Sequence, residues 1–146
     1  MPVHPFIVHF GIAFTWLAGI LYTLNLLQKD SVFSNQQIFY LHLTSVGCIG
    51  VAIFSGLSAE DGVILSEEAK QLLRWHQIWA YVTLWLVGLL AIWAYLRMKR
   101  WQKLENILFV GIFLLCCVLM SLGTHMGGKM VYEEGVGVSV NKSKNE

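Results

Sequence analysis

Charged residues are scarce in this 146-residue chain, of which only 13% are Asp, Glu, Lys or Arg. Soluble domains average roughly 25% charged residues. The deficit is concentrated in windows that contain no Asp, Glu, Lys or Arg at all, namely residues 5–28, 31–59, 75–96 and 106–128. Each window is long enough to cross a bilayer, because a hydrocarbon core of about 30 Å needs about 20 helical residues. These windows leave no length for a separate soluble domain.

Several features that mark other protein classes are also absent. A net charge of +1 offers no basic face for nucleic acid. There is no CxxCH sequence, which argues against covalent c-type haem, and the three cysteines lie inside apolar windows as expected for small buried side chains. GxSxG, P-loop and HExxH motifs are missing. The N-terminus lacks the basic region and cleavage site of a signal peptide, so we expect a retained first helix.

The windows predict an all-α fold with one transmembrane domain over residues 1–146. The spans are expected at about 5–27, 37–57, 74–96 and 104–126, followed by an extended tail over 129–146. Pro5 is expected to begin the first helix, Glu67–Leu73 to form a short surface helix, and Gly127–Gly128 to end the fourth span. Short links between the spans predict an up-down antiparallel four-helix bundle.

The two sides of such a bundle differ in charge. Side A carries both termini and the loop 58–73, whereas side B carries the links 28–36 and 97–104. The second of these links reads RMKRWQK and is strongly basic. By the positive-inside rule, side B is predicted to face the cytoplasm, so that both termini face outward.

Four of the five histidines are predicted to lie in one layer at side A. His4 and His9 begin the first span. His76 begins the third span, and His125 ends the fourth. His42 lies near the opposite end of the second span, roughly 20 Å or more away. Embedded polar groups usually face the bundle interior, so we expect the histidines inside the spans to point inward.

A layer of imidazoles on neighbouring helices suits a bound metal. Two opposed histidines hold a haem iron axially between antiparallel helices, and His9 with His76 is the favoured pair. His125 is next, and could hold a second haem with His4, so one or two non-covalent b-type haems are expected. A copper or zinc site made by His9, His76 and His125 is the competing prediction.

His4 and His9 are five residues apart, or about 140° around a helix, so both cannot bind one centre from regular helix. Glu60 and Asp61 are interpreted as solvated loop carboxylates, with proton acceptance near a quinol pocket as the alternative. The absence of a discontinuous helix pair and of embedded charges argues against transport.

Four stretches of the sequence resemble one bacterial family of four-helix membrane proteins of unknown function. They are HPFIVHFGIAF, GLSAEDGV, RWHQIWAYV and GGKMVYEEGVGVSV. The first and last are the most specific and resemble the patterns HPxxVHF and GGxLVYxxGVGV, and the likeness spans almost the whole chain. Gly11 stands where the family usually has proline.

The resemblance implies a bacterial inner-membrane protein linked to respiratory electron transfer, because some members are fused to c-type haem domains. It also implies haem ligands at His4, His9 and His76. His42 and His125 are not part of the family's pattern, which leaves the role of His125 open.

The sequence therefore predicts a b-type, cytochrome-like electron-transfer subunit rather than a stand-alone enzyme. Electrons would pass between a quinol pool or a membrane partner and an external c-type cytochrome. The alternatives are a non-catalytic structural or assembly subunit of a membrane complex and an outward-facing copper- or zinc-binding protein. Lipid contact is expected, nucleic acid is not, and self-association is left open.

Overall fold

The chain folds into four long helices. The computed structural model describes residues 3–28, 33–60 and 65–136. In these ranges the regular elements are the helices α1 (Val3–Leu27), α2 (Asn35–Glu60), α3 (Glu67–Arg97) and α4 (Lys103–Tyr132). All four are long and apolar enough to cross a membrane. The predicted all-α fold with four candidate spans is confirmed.

The helices form a four-helix bundle in which each helix packs against two others. α1 packs against α2 and α4, and α3 packs against the same two helices, so α1 and α3 occupy one diagonal. His4, near the start of α1, contacts Ala52 near the end of α2. His76, near the start of α3, contacts Gly123 near the end of α4. Successive helices therefore run antiparallel, as the short links predict, and these four residues lie on side A.

The start of α3 differs from the prediction. Glu67–Leu73 is not a separate surface helix but the first two turns of α3. Ser66 caps this helix, because its hydroxyl accepts the Ala69 N–H at 3.0 Å. Ala69 is buried, so packing as well as the cap extends the helix beyond the charge-free window.

The end of α4 also differs from the prediction. α4 continues through Gly127–Gly128 to Tyr132, so the expectation that these glycines end the helix is wrong. The tail expected over 129–146 is helical at its start, and its residues 137–146 lie outside the described part of the chain. Three residues beyond the helix end, Gly135 has a φ of 65°, a left-handed conformation that glycine adopts at no steric cost.

The outside of the bundle is apolar. Large hydrophobic side chains on the helices are exposed, with Phe54 at 73%, Trp85 at 69% and Leu96 at 70% of their accessible surface. Apolar patches of this extent are unusual on proteins that face water. Helices whose backbone groups are satisfied internally and whose outer faces are apolar fit a lipid environment.

The main core lies nearer to side B and is built from aromatic rings. The ring of Tyr22 packs edge-on against Phe109 and Phe113, with ring centres 5.0 and 5.4 Å away. Cys116 and Cys117 are buried in the same cluster as free thiols. They pack as small apolar side chains, as the sequence predicts.

Glu105 of α4 links the side-B ends of α3 and α4 through hydrogen bonds and an ion pair. Its carboxylate accepts hydrogen bonds from the Arg97 Nε and Nη2 atoms at 2.6 and 2.7 Å. The Trp93 indole N–H donates to the same carboxylate at 3.0 Å. The two-pronged ion pair fixes the relative position of the helix ends and neutralises one cation of the basic link.

A glycine near side A sets how closely α3 and α4 approach. A Cβ at Gly123 would lie 2.8 Å from the Cβ of Trp79. We expect Gly123→Ala to lower the free energy of unfolding by about 1–3 kcal/mol through overpacking. Gly111→Ala on the same helix is the matched control, because among the described residues nothing lies within 4 Å of its added Cβ. Equal changes in thermal stability for the two exchanges would contradict this packing.

Candidate functional site

His4 projects from the first turn of α1 onto α2. Its Nδ1 lies 2.9 Å from the Ala52 carbonyl oxygen and 3.0 Å from the Ser55 hydroxyl. A carbonyl oxygen only accepts, so the imidazole N–H is at Nδ1 and donates to Ala52. The Ser55 hydroxyl itself donates to the same carbonyl at 2.8 Å. In the neutral ring this leaves a lone pair on Nε2, which has no hydrogen-bond partner among the described residues.

His76 makes the equivalent contact from α3 onto α4. Its Nδ1 lies 2.9 Å from the Gly123 carbonyl oxygen. The same reasoning places the N–H on Nδ1, where it donates to α4. The Nε2 atom of His76 likewise meets no partner within the part of the chain that the structure describes. The two side chains therefore share one tautomer.

Each of these imidazole rings packs against a glycine of the neighbouring helix. A Cβ at Gly56 on α2 would lie 2.9 Å from the Cε1 of His4. A Cβ at Gly127 on α4 would lie 3.0 Å from the Cε1 of His76 and 3.1 Å from its Nδ1. The two glycines thus give the imidazoles room to lie against the helix backbones, which explains why α4 tolerates a glycine that costs about 1 kcal/mol in a helix interior.

The two imidazoles meet across the diagonal of the bundle. The ring centres of His4 and His76 are 6.4 Å apart and the ring planes cross at 88°. Both side chains are half-buried at side A. All four helices build this site, because α1 and α3 supply the rings while α2 and α4 supply the carbonyl acceptors and the glycines. We call it the histidine pair.

The separation of the histidine pair suits a metal ion. An imidazole nitrogen binds a metal at about 2.0–2.1 Å and lies about 1.1 Å from its ring centre, so two rings on opposite sides of one metal have centres about 6.3 Å apart. The observed separation is 6.4 Å. The donor set is also appropriate, because neutral imidazole with a free Nε2 is a common metal ligand.

The other two histidines predicted for this layer do not join the pair. His9 is exposed, and its Nδ1 donates to the Pro5 carbonyl in the same helix. His125 is exposed as well. The expectation that both face the interior is therefore wrong in this single chain. Among the described residues, no three or more His, Cys, Asp or Glu side chains are grouped to hold a metal ion.

The helix start explains why His4 rather than His9 faces the bundle. α1 begins at Val3, so His4 is inside the first turn instead of preceding a helix that begins at Pro5. A separation of five residues turns the two side chains by about 140°. The rotation that brings His4 onto α2 therefore carries His9 to the outer face.

His42 occupies a position that the sequence left without a role. Its ring is fully buried, and its Nε2–H donates to the Val87 carbonyl at 3.0 Å. The Tyr22 hydroxyl lies 3.4 Å from Nδ1 and donates to it. The ring also packs edge-on against Phe113, with centres 4.8 Å apart. His42 thus joins residues from all four helices, and because both its nitrogens are engaged it is a structural residue.

Gly127 provides a test of how the histidine pair is held. We expect Gly127→Ala to displace the His76 ring, because the added Cβ would lie 3.0 Å from it. The displacement would change the His76 imidazole resonances in a nitrogen-15 NMR spectrum of the protein. Gly128→Ala is the matched control, since within the described ranges nothing lies within 4 Å of its Cβ. Unchanged His76 resonances in Gly127→Ala would contradict the observed contact.

Comparison with known protein families identifies a match over most of the chain. A family model described as "Predicted membrane protein (DUF2231)" matches residues 1–140. The matched region contains all four helices and both members of the histidine pair. No curated protein and no solved structure matches the chain.

Proposed function

The chain belongs to the DUF2231 family of predicted membrane proteins, and from this premise we propose that it is a b-type, cytochrome-like electron-transfer subunit. Its haem is held between His4 and His76. The observation that carries the proposal is the histidine pair, with ring centres 6.4 Å apart across the bundle. This assignment keeps His76 from the sequence-based prediction and puts His4 in the place of His9.

The hydrogen bonds of the two rings support their role as ligands. A metal-binding histidine almost always donates its second ring N–H to a carboxylate, a carbonyl or water, which fixes the tautomer and the ring orientation. His4 donates to Ala52 and His76 to Gly123 in this way. The Nε2 atoms are therefore the ligand atoms in both residues.

Two glycines allow the candidate ligand rings to lie against the flanking helices. Gly56 on α2 lies against the His4 ring, and Gly127 on α4 lies against the His76 ring. A side chain at either position would displace the adjoining imidazole, so both glycines are needed to keep the histidine pair together.

The chain supplies binding and orientation, and a bound haem supplies one-electron transfer. His4 and His76 would hold the iron, while the carbonyl groups of Ala52 and Gly123 keep the rings in place. Because the pair is only half-buried at side A, a redox partner reaches it from that side.

The cellular setting of the proposal is the inner membrane of a bacterium, with side A and both termini outward. Its support is the charge of side B, where Lys99, Arg100 and Lys103 lie at the α3–α4 hairpin. Electrons then pass between a quinol pool or a membrane partner and an external c-type cytochrome. In this role the protein is a subunit of electron transfer rather than a stand-alone enzyme.

The absorption spectrum of the purified protein tests the proposal. We expect a Soret band, a change in the visible bands on reduction with dithionite, and one non-covalent haem per chain by the pyridine hemochrome assay. A second haem held by His9 or His125 would raise that ratio. A protein that is folded and contains no haem, after expression with ample haem supply, would overturn the proposal.

A second candidate function is the binding of a copper ion at side A. The separation of the ring centres is also compatible with a copper ion, and imidazole is a suitable ligand for copper. Zinc is less favoured, because closed zinc sites use four ligands and the described residues bring only two histidines together. Metal analysis separates these cases, and a chain with neither metal nor haem would instead be a structural subunit.

A further inference from the structure

A cleft opens on side A, beside the histidine pair. It lies between the end of α2 and the start of α3 and has a volume of about 420 Å³. Its described lining consists of Glu60, Leu65, Lys70, Leu73, Arg74 and Gln77. This volume falls within the range of about 300–1,000 Å³ that is usual for small-molecule sites.

The cleft combines polar and apolar walls. The Gln77 amide Nε2 donates to the Glu60 Oε2 at 2.8 Å and so bridges α3 and α2. The second carboxylate oxygen of Glu60 has no partner among the described residues and is an acceptor. Lys70 and Arg74 contribute cations, of which Lys70 is paired with Glu67 at 2.6 Å, and Leu73 contributes an apolar wall. A ligand that has hydroxyl or carbonyl oxygens on a flat apolar ring would match these groups.

The position of the cleft connects it to the histidine pair. Glu60 lies one helical turn beyond Gly56, which contacts the His4 ring. Gln77 directly follows His76 in the chain. The two residues that bridge the cleft are therefore immediate neighbours of the residues that hold the pair.

We propose that this cleft binds the head group of a hydroquinone or of its quinone. The Glu60 carboxylate accepts a hydrogen bond from a quinol hydroxyl, and Arg74 and Gln77 can donate to the oxygens of either form. The inference rests on the proposed function, because a lipid-soluble quinol is the electron donor that such a subunit meets in the bilayer. A phospholipid phosphate is less favoured, since Glu60 places a carboxylate in the same cleft.

Binding of a decyl-substituted benzoquinone to the full chain in detergent micelles tests the site. By isothermal titration calorimetry we expect saturable binding at one site per chain. Gln77→Leu should weaken the binding of this quinone about tenfold, because it removes a donor to the quinone carbonyl oxygen. Glu60→Gln should weaken the binding of the corresponding hydroquinone about tenfold, because the hydroquinone hydroxyl donates to the Glu60 carboxylate. Gln71→Leu is the matched control, because Gln71 is exposed on the same helix and outside the cleft. Equal binding by all variants, or unsaturable uptake, would overturn the inference.

Photolabelling of the wild-type protein keeps the test independent of how the variants fold. An azido-substituted quinone should label residues 65–77. Label in the apolar groove between α1 and α2, which is lined by Ile7, Phe10 and Val51, would overturn the inference. Displacement of the quinone by a short-chain phosphatidylethanolamine at equal concentration would also overturn it in favour of a lipid head group.

Failure of this inference can be distinguished from failure of the proposed function. His4→Ala removes a haem ligand but no lining residue, so it should abolish the Soret band and leave quinone binding unchanged. A wild-type protein that contains haem and does not bind the quinone would refute only the inference about the cleft. A protein that binds the quinone and contains no haem would refute only the electron-transfer proposal.

Discussion

Replacing His76 by alanine is expected to lower the haem content of the purified protein by at least about tenfold. Loss of even an outer-shell partner typically costs about 10–100-fold in metal affinity, and this exchange removes a proposed ligand. His4→Ala should have the same effect, because the centre of the His4 ring lies 6.4 Å from that of His76 across the bundle. Haem content per chain, measured by the pyridine hemochrome assay on monodisperse protein, provides the comparison.

His9→Ala and His125→Ala are the matched controls for this prediction. Both remove an imidazole from the same end of the bundle, and both of these side chains are exposed. We expect them to keep the haem content within about twofold of the wild type, since neither ring belongs to the pair. A loss in His9→Ala as large as that in His76→Ala would show that His9, and not His4, is the partner ligand.

His42→Ala is expected to lower the free energy of unfolding by about 2–4 kcal/mol, the range for deletion of a large buried side chain. The exchange leaves a cavity where four helices meet and removes the acceptor of the Tyr22 hydroxyl. It should leave the haem bands unchanged in protein that remains folded, because His42 lies far from the histidine pair along α2. Denaturant unfolding in micelles, followed by tryptophan fluorescence and haem absorption, measures both effects.

Tyr22→Phe separates the hydrogen bond from the packing at this site. It keeps the ring against Phe109 and Phe113 and removes only the donor to His42, so we expect a loss of about 1 kcal/mol. A larger loss in Tyr22→Phe than in His42→Ala would show that packing of the His42 ring contributes little. Loss of haem in folded His42→Ala would show that His42 is a ligand.

The number and order of the helices could be predicted from the positions of the charges. Each charge-free window corresponds to one of the four helices. A run of about 20 apolar residues has few stable alternatives to a helix in a bilayer. The helix ends could not be predicted in the same way. α3 includes Glu67–Leu73 and α4 includes Gly127–Gly128, and in both cases packing on the neighbouring helix outweighs the local signal.

The side of the bundle that holds the histidine layer was predictable, but the members of the pair were not. Sequence position places His4, His9, His76 and His125 near side A, whereas only the rotation of each helix decides which side chains face inward. That rotation depends on contacts such as those of Gly56 with His4 and Gly127 with His76. No periodicity in a nearly uniform apolar helix reveals these contacts, since both lipid and core are apolar.

The burial of His42 could be predicted from the sequence, but its hydrogen-bond partners could not. The expectation that this histidine faces inward is confirmed, since His42 is buried together with Ser45 and Ile49 on the same stripe of α2. The Tyr22 hydroxyl and the Val87 carbonyl that complete its hydrogen bonds come from other helices. For His42 the sequence therefore predicts burial, whereas its hydrogen-bond partners follow only from the assembled bundle.

The most direct test of the histidine pair as a haem site is the electron paramagnetic resonance spectrum of the oxidised protein. Two imidazole ligands make ferric haem low-spin, and ligand planes close to perpendicular make its signal strongly anisotropic. The rings of His4 and His76 cross at 88°. We predict a strongly anisotropic low-spin signal that is lost in His4→Ala and retained in His9→Ala. A high-spin haem signal in the wild type, or no haem signal at all, would contradict the assignment.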